Sequence, residues 1–350
     1  MTKSFGLRVH PDEPCLYWST SAQLIVVIYV DDCRVMGTKA SITALIDFLA
    51  SHYPITANPD SEYLSLELRQ LPNSVLKVSM QRYASDMLAE LGFTNARSAT
   101  APLPPGASMD KAPDDLSLED ARFYRQAVGK LGYMVNCWPE LAFPFAELSR
   151  FSGQPGSLHL DALRHVLRYV NGHREQGYLV FPTKLPAEVT AFCDASFAPD
   201  RVDFRSTSGQ VIFVGDTPVL WSARRQQGTA TSSAMAELKA LGQTVNDVLD
   251  IRLMLRRMDL LDTKPSIIWC DSQAAIAIIY RAELNATRSY PRNSAVRIMH
   301  VRDAVDNGDI TIRYDHTSEN RADLFTKALP SPVIRRHLDA LRQGAPFPES

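Results

Sequence analysis

The sequence predicts an α/β protein whose C-terminal part is a mixed sheet with the element order βββαβαβα. Three observations support this prediction. First, β-branched and apolar residues form three consecutive strand patterns between residues 189 and 223. Second, residues 233–258 have the apolar periodicity of a long helix and follow the capping cluster Thr-Ser-Ser at residues 231–233. Third, strand and helix patterns alternate after that helix, as in a sheet with crossover helices.

Length and composition restrict the class of protein. The chain has 350 residues and a mass of 39.0 kDa, which is enough for two or three domains. Hydrophobic residues make up 45% and charged residues 22%, which excludes a wholly disordered or collagen-like chain. The net charge of -2 shows no global basic surplus, so any binding of nucleic acid has to come from local patches.

Cysteine spacing and hydropathy favour an intracellular protein. The five cysteines lie far apart without a Cys-x-x-Cys pair, which indicates neither a zinc site nor a disulfide framework. The most continuous apolar run covers residues 24–30, far short of the roughly 20 residues of a transmembrane helix. The N-terminal segment has no apolar stretch typical of a signal peptide. We therefore expect a soluble, intracellular protein with no membrane partner.

The N-terminal residues predict a small α+β unit. Residues 22–37 are apolar and β-branched on both sides of an Asp-Asp pair, which predicts a strand, a turn and a second strand. Apolar residues at helical spacing predict helices over residues 40–51 and 81–91, and a strand is expected at residues 63–68. Residues 99–115 contain four prolines and little periodicity, so they are predicted to be a linker.

The remaining elements follow from the same rules. The middle of the chain is predicted to be mostly helical, with helices over residues 123–136 and 161–170 and a break at residues 152–157. The proline-bearing segment 182–186 then precedes the C-terminal pattern. In that pattern strands are expected at residues 189–197, 209–214, 219–223, 266–270 and 309–314, and helices at residues 233–258, 273–280, 320–328 and 332–341.

Four acidic residues occupy informative places in the C-terminal pattern. Asp194 lies in its first strand and Glu237 in the first turns of its long helix. Asp271 directly follows its fourth strand, and Asp323 lies in the helix expected at residues 320–328. Taken singly, such an acid is more commonly a turn, cap or surface residue. Together, at the mouth of an α/β sheet, they repel each other unless cations neutralise them. Two Mg²⁺ about 3.5–4 Å apart do so in enzymes that cleave phosphodiesters.

Longer motifs make the interpretation specific. In chain order they are FCDASFA, FRSTSGQVIFVG, VLWSARRQQ, SSAMAEL, IIWCDSQAAIAI, NGDITIRY and NRADLFTKALP. Together they resemble the ribonuclease H domain of copia-type retrotransposon Pol polyproteins. The resemblance implies a ribonuclease H-like mixed sheet over residues 188–330, followed by a C-terminal tail over residues 331–350. It also implies hydrolysis of the RNA strand of an RNA–DNA hybrid by two Mg²⁺, or Mn²⁺, bound to Asp194, Glu237, Asp271 and Asp323.

The chain departs from the family pattern in places. Where the family commonly has Lys-His-Ile-Asp-Ile-Arg-Tyr-His, residues 292–299 read RNSAVRIM and lack both histidines and the acid. His316 lies seven residues before Asp323, a shorter spacing than that of the mobile histidine of cellular ribonucleases H, so we expect a loop histidine. Cys193 and Cys270 each precede a proposed ligand. Because neighbouring side chains of a strand point to opposite faces, both thiols are expected to face away from the metal ions into the core.

Local polar groups near the acids are candidates for contacts with nucleic acid. The candidates are Arg205, Ser206, Thr207, Arg224, Arg225, Gln226, Ser272 and Gln273. The first six are suited to phosphate oxygens, and the last two resemble the polar pair of cellular ribonucleases H that touches the minor groove of the hybrid. A hybrid is recognised by groove shape and 2′-hydroxyls. An equally favoured and compatible interpretation is that the arginines protect a hairpin edge from strand pairing.

The motif Tyr-Val-Asp-Asp at residues 29–32 lies between two apolar strands. With DEPCLYW before it and CRVMGTKASITALIDFL after it, the region resembles the copia-type reverse transcriptase palm. The resemblance implies a truncated palm and thumb region over residues 1–98, a linker over 99–117 and a mostly helical connection segment over 118–182. Asp31 and Asp32 would be metal ligands of the palm. Only 28 residues precede Tyr29, whereas the family places a further Asp and the fingers well upstream, so we expect no DNA synthesis by this chain alone.

Two hypotheses from different classes remain open. The first is a ribonuclease H whose partners are an RNA–DNA hybrid and other parts of the Pol polyprotein, such as polymerase fingers and integrase, in cytoplasmic virus-like particles or in the nucleus. The second is a degenerate or repurposed remnant that binds nucleic acid or a partner without catalysis, which the altered residues 292–299 favour. A generic hydrolase or NTPase finds no support, because the chain has no Gly-x-Ser-x-Gly motif and no phosphate loop.

Overall fold

The computed structural model describes residues 2–57, 62–107, 109–199, 203–281 and 290–342. This part of the chain forms three β-sheets and the helices that cover them. The predicted tail beyond residue 342 lies outside the described residues. Within them, no helix combines the length and the apolar character needed to cross a membrane.

The first sheet is antiparallel and confirms the predicted strand–turn–strand unit. Its strands, in spatial order, are β1 (Arg8–Val9), β2 (Leu16–Ser19), β3 (Leu24–Tyr29) and β4 (Asp32–Gly37), with the short helix α1 (Thr2–Phe5) before them. Helix α2 (Lys39–Ala50) begins at the N-cap Thr38, whose hydroxyl accepts a hydrogen bond from the Ser41 amide. Buried Leu45 of α2 joins Leu24 and Val26 in one apolar cluster, so α2 covers one face of this sheet.

The second sheet joins distant parts of the chain. Its strands are β5 (Glu67–Gln70), β6 (Leu76–Ser79) and β7 (Gly177–Val180), and helix α3 (Gln81–Glu90) follows β6. The strand expected at residues 63–68 is wrong in position, because Leu64 and Ser65 adopt positive φ angles of 50° and 60° that turn the backbone. Between residues 62 and 66, directly before β5, the described backbone forms only the isolated bridge between Tyr63 and Leu66.

The middle of the chain is helical, as predicted, and has its own core. The helices are α4 (Leu118–Met134), α5 (Ala142–Ser149) and α6 (Ser157–Gly172). Fully buried Tyr124, Trp138 and Tyr169 lie in the cluster that these helices share with α3 and β6. The proline-rich linker also contributes to this cluster, because Leu103 and Met109 are 2% and 3% exposed. The linker is therefore packed against the helices of this core.

The third sheet is mixed and confirms the predicted ribonuclease H-like class. The elements in chain order are β8 (Val189–Ser196), β9 (Thr207–Val214), β10 (Thr217–Arg225), α7 (Ser233–Arg257), β11 (Ser266–Cys270), α8 (Gln273–Tyr280), α9 (Arg292–Asp306), β12 (Ile310–Tyr314) and α10 (Ser331–Arg342). The spatial order is β10-β9-β8-β11-β12. Strands β8, β11 and β12 are parallel, whereas β9 and β10 form an antiparallel hairpin at one edge.

Two elements of this domain differ from the prediction. Helix α9 was not expected, because its buried residues Ile298, Val301 and Ala304 stand among many charged ones. The helix expected at residues 320–328 is instead the 3₁₀ helix Arg321–Phe325. The Asn320 side chain caps its first turn by accepting a hydrogen bond from the Ala322 amide. All five residues of this 3₁₀ helix are buried, so the helix packs closely against the sheet.

Candidate metal centre

The register of the central strands brings Asp194 and Asp271 together. Strands β8 and β11 run parallel, and Cys193 pairs with Cys270. The next residue of each chain segment is an aspartate, so both carboxylates lie at the same carboxyl edge of the sheet. Asp194 is buried and Asp271 is half-buried. Burial and then Asp194 raise the pKa of Asp271, and nearby Thr317, after β12, offsets part of this rise.

Glu237 reaches the same edge from α7. The helix begins at Ser232, whose hydroxyl accepts a hydrogen bond from the Met235 amide. Glu237 lies in the next turn, is 7% exposed, and accepts a hydrogen bond from the Ala195 amide through Oε1 at 3.2 Å. Its other oxygen, Oε2, is buried and has no hydrogen-bond partner among the described residues. A buried carboxylate oxygen without a hydrogen-bond partner is suited to bind a cation.

Asp323 enters the cluster from the 3₁₀ helix. The Asn320 amide group fixes this helix on the central strand by donating to the Cys193 carbonyl at 2.8 Å. Asp323 lies close enough to Asp194 for its charge to raise the pKa of that carboxyl group. The Thr326 hydroxyl, just after the 3₁₀ helix, also donates to Asp194 Oδ2. Lys327 Nζ lies 2.8 Å from Asp323 Oδ1.

The four carboxyl groups form one electrostatic unit. Burial raises the pKa of every one of them, because the low-dielectric interior disfavours the charged form. Burial and the neighbouring Asp323 raise the pKa of Asp194 to about 6. Burial, together with Asp194, Cys270 and Asp271, raises the pKa of Glu237 to about 10. The structure therefore brings all four predicted acids together, at a cost that a bound cation would relieve.

The donor atoms suit a divalent metal ion. Single ligand atoms of Glu237, Cys270 and Asp271 lie within 4.8 Å of one another, and carboxylate oxygens are the ligands that Mg²⁺ and Mn²⁺ prefer. The prediction that both thiols face away is wrong for Cys270. The Cys270 side chain is buried in the core under α7. Glu237 belongs to the same helix, and its carboxylate lies close to the Cys270 thiol at the end of β11. Cys193 is buried in the same core, as expected.

The residues predicted to contact nucleic acid fall into two groups. The exposed group contains Arg205, Arg224 and Gln273. Arg224 Nη1 lies 3.7 Å from Asp247, and Arg205 Nε lies 3.6 Å from Asp203. Half-buried Arg225 also pairs with Asp203.

The second group is engaged inside the fold. Ser206, Thr207 and Gln226 are buried, and Gln226 donates to the Ser208 hydroxyl and to the Ala236 carbonyl. Ser272 caps helix α8 by accepting a hydrogen bond from the Ala275 amide. These contacts hold the ends of β9, β10 and α8 in place and do not favour the predicted role of these side chains as ligands of a phosphate or groove.

The other sequence candidates lie apart from the cluster. Asp31 and Asp32 are exposed at the β3–β4 turn, and among the described residues no third acid, histidine or cysteine joins them in a metal-sized group. His316 is exposed, and its Nδ1 lies 2.9 Å from the Ser318 hydroxyl of the same loop, as expected of a loop histidine. Sequence reasoning missed Thr326 and Lys327. Their signal was present in the motif NRADLFTKALP, where both directly follow the segment that carries Asp323.

Comparison with known proteins places the whole arrangement in context. No protein-family model matches the chain. It is 28% identical over 306 residues to the retrovirus-related Pol polyprotein from transposon RE1 of Arabidopsis thaliana, which covers 87% of this chain and 20% of that protein. It is 26% identical over 336 residues to the corresponding polyprotein from transposon TNT 1-94 of Nicotiana tabacum, which covers 93% of this chain and 25% of that protein.

Among solved structures, the foamy viral protease-reverse transcriptase in complex with an RNA/DNA hybrid matches 83% of this chain and 36% of that chain. Its sequence identity is 12% and its TM-score is 0.47. The chain spans about a fifth to a quarter of the length of these two polyproteins.

Proposed function

The chain is similar over 87–93% of its length to retrovirus-related Pol polyproteins of transposons, and from this premise we propose that its third sheet carries a ribonuclease H. The substrate of this activity is the RNA strand of an RNA–DNA hybrid, and the reaction is hydrolysis of a phosphodiester with Mg²⁺ as cofactor and Mn²⁺ as a substitute. Residues 188–330 form the catalytic domain, and residues 118–182 form the connection segment.

The observation that carries the proposal is the convergence of four acids from four separate segments. Asp194, Glu237, Asp271 and Asp323 gather at the carboxyl edge of β8 and β11, and burial raises the pKa of each. A protein without a use for such a cluster gains nothing from three buried carboxyl groups and a half-buried one, because each loses hydration on burial. Perturbed carboxyl groups gathered in one place are typical of functional sites.

The acids divide into two groups in the proposed reaction. Asp194, Asp323 and Glu237, which are 4%, 6% and 7% exposed, form the floor on which a cation rests. Half-buried Asp271 is the most exposed of the four acids, and Lys327 contacts Asp323. Bound divalent cations would activate the attacking water and stabilise the leaving 3′ oxygen. Exposed Arg205, Arg224 and Gln273 would contact the backbone and groove of the hybrid.

Replacement of single acids tests this proposal. Asp194→Asn and Asp271→Asn keep the size of the side chain but remove a charged ligand, so both variants should lose cleavage of a labelled hybrid in Mg²⁺. Asp250→Asn is the matched control, because Asp250 is exposed on α7, away from the cluster, and this variant should cleave at the wild-type rate. Near-normal cleavage by either site variant would contradict the assignment of these acids as metal ligands.

A non-catalytic remnant would behave differently in the same experiment. The folded wild-type chain would bind the hybrid and leave it intact with Mg²⁺ present.

The partners of the complete polyprotein belong to the proposal as well. The β3–β4 hairpin exposes Tyr29 (55%) and Val30 (81%), and we assign this apolar tip to contacts with other parts of the polyprotein, such as polymerase fingers or integrase.

A further inference from the structure

Lys327 stands inside the carboxylate cluster although neither the predicted ligand set nor the proposed reaction requires it. Its ammonium lies 2.8 Å from Asp323 Oδ1. Asp194 and Asp271 attract the same ammonium, so one cation serves three acids. The Thr326 hydroxyl next to it in the chain donates to Asp194. Two consecutive residues after the 3₁₀ helix thus face the acids directly.

The charge of the metal-free cluster explains why a lysine is useful there. The clustered carboxyl groups lose hydration and repel one another when they are ionised, and both effects act against the folded state. A single ammonium at hydrogen-bond distance offsets part of the repulsion, since its attraction to each acid is strong at such short range. It also fixes the 3₁₀ helix, because Asp323 is then tied to a residue four positions further on.

We propose that Lys327 is the built-in counter-cation of the carboxylate cluster: it holds Asp323 beside Asp194 and Asp271 in the metal-free protein and gives up this place to a divalent cation. Lys327 is therefore a positioning residue that competes with the metal ion. The inference rests on the proposed function, since it assumes that the cluster binds such ions.

The surroundings of Lys327 provide room for this exchange. Its side chain is 41% exposed, so the ammonium can regain water when it leaves Asp323. A cavity of about 240 Å³ lies directly beside it, between α5 and the end of β8, with Phe143, Ser196 and Ala328 in its wall. The lysine stem of four methylene groups is flexible, so the ammonium has space on this side when it leaves Asp323.

The test uses the full chain, freed of metal with a chelator, and Mn²⁺ as the probe. In Lys327→Met the cluster loses its internal cation, so we expect a lower melting temperature in the metal-free state and about tenfold tighter binding of Mn²⁺ by calorimetry. Lys327→Arg keeps the charge and should restore both values. Lys264→Met is the matched control, because Lys264 pairs with Glu188 at 2.7 Å before β11 begins, at the other end of the strand.

The outcomes separate the two claims. An Mn²⁺ affinity of Lys327→Met equal to or weaker than that of the wild type, in a protein shown by circular dichroism to be folded, overturns the inference and leaves the proposed function intact. An unchanged melting temperature of the metal-free variant also overturns it. A wild-type chain that binds no Mn²⁺ at all contradicts the proposed function itself, and the role of Lys327 as a competitor of the metal ion with it.

Discussion

Glu237 shows at the scale of one residue what burial of a carboxyl group costs the metal-free protein. The side chain is 7% exposed, and only one of its two oxygens has a hydrogen-bond partner among the described residues. In the metal-free protein its pKa is raised from 4.5 to about 10, first by burial and then by neighbouring Asp194. The folded chain therefore holds a proton on Glu237 over a pH range in which the unfolded chain releases it.

This linkage predicts a pH dependence of the metal-free protein. The stabilising contribution of the raised pKa is complete below pH 4.5 and is lost as the pH rises towards about 10. Glu237→Gln mimics the protonated form at every pH, so its stability advantage over the wild type should grow with pH, by at most about 1.4 kcal/mol per unit. Urea unfolding in chelator at several pH values measures this difference.

A suitable control for this experiment is Glu175→Gln, because Glu175 is an exposed acid outside the cluster. Its stability difference from the wild type should stay constant with pH. A difference that is equally constant for Glu237→Gln would contradict the raised pKa. In the presence of Mg²⁺ the order should reverse, since glutamine is a weaker ligand than carboxylate and the wild type gains the binding free energy.

At the scale of single residues, the sequence was sufficient to identify the four acids but not the residues that contact them. Asp194, Glu237, Asp271 and Asp323 were identified by their places at strand ends and helix starts and by the family motifs. The contacts of Thr326 and Lys327 depend on the exact turn that follows Asp323, and the sequence pattern indicated an ordinary helix there. The burial of Gln226 was equally hidden, because a polar residue at a strand end is usually exposed.

At the scale of elements, the 3₁₀ helix is held by a close approach of its backbone to β9. Gly209 of β9 has no side chain, and a methyl group at its Cα would lie 2.6 Å from Thr326 Cγ2 and 2.8 Å from the Ala322 carbonyl oxygen. Both distances are shorter than any ordinary contact. Only glycine at this position lets the segment that carries Asp323 pack flat on the sheet.

Gly209→Ala should therefore damage both the fold and the metal site. We expect a loss of about 1–3 kcal/mol in the free energy of unfolding, because the 3₁₀ helix has to move away from β9. Binding of Mn²⁺ should weaken as Asp323 moves with it. Calorimetric titration and urea unfolding of the same preparation measure the two effects together.

Gly129→Ala is the matched control, since a methyl group at Gly129 in α4 meets nothing within 4 Å. It should stabilise the chain by roughly 0.5–1 kcal/mol, because alanine is the better helix former. Equal stability and equal Mn²⁺ affinity of Gly209→Ala and wild type would show that the close approach has no role in the site.

Most elements were predictable because their apolar periodicity and their caps indicate the same positions in the chain. The long helix α7 and the strands β8, β9, β10, β11 and β12 lie within a few residues of the expected positions. Helix α9 escaped prediction because only three of its residues are buried and its other faces are charged. Strand β7 escaped it because its place is fixed by pairing with β6, almost a hundred residues earlier in the chain.

At the scale of the whole molecule, the helical middle of the chain and the third sheet with α10 are joined by buried contacts. The Trp221 indole of β10 donates to the Val135 carbonyl at 2.7 Å, just after α4. The last residue of α10, Arg342, lies 2.8 Å from Glu140, whose side chain is fully buried. The Tyr169 hydroxyl of α6 donates to the same carboxylate at 3.3 Å. These contacts cross the boundary expected between the two domains.

Arg342 should consequently contribute to the stability of the whole chain. Arg342→Met leaves the buried Glu140 without its cation, and we expect a loss of about 3–5 kcal/mol in the free energy of unfolding. Adding Glu140→Gln removes the buried charge, so the double variant should recover a large part of this loss. Lys130→Met breaks an exposed ion pair with Glu90 and should cost less than about 1 kcal/mol. Similar losses for Arg342→Met and Lys130→Met would contradict the role of the buried pair.

The central claim is that the full chain cleaves RNA in a hybrid with a metal ion held by its four acids. The most direct measurement incubates the full chain with an end-labelled RNA–DNA hybrid in Mg²⁺ and in chelator, and identifies the ends of the products. We predict cuts in the RNA strand alone, with 3′-hydroxyl ends, in Mg²⁺ and none in chelator. An intact RNA strand after incubation with a folded chain in Mg²⁺, or cuts that persist in chelator, would contradict the account.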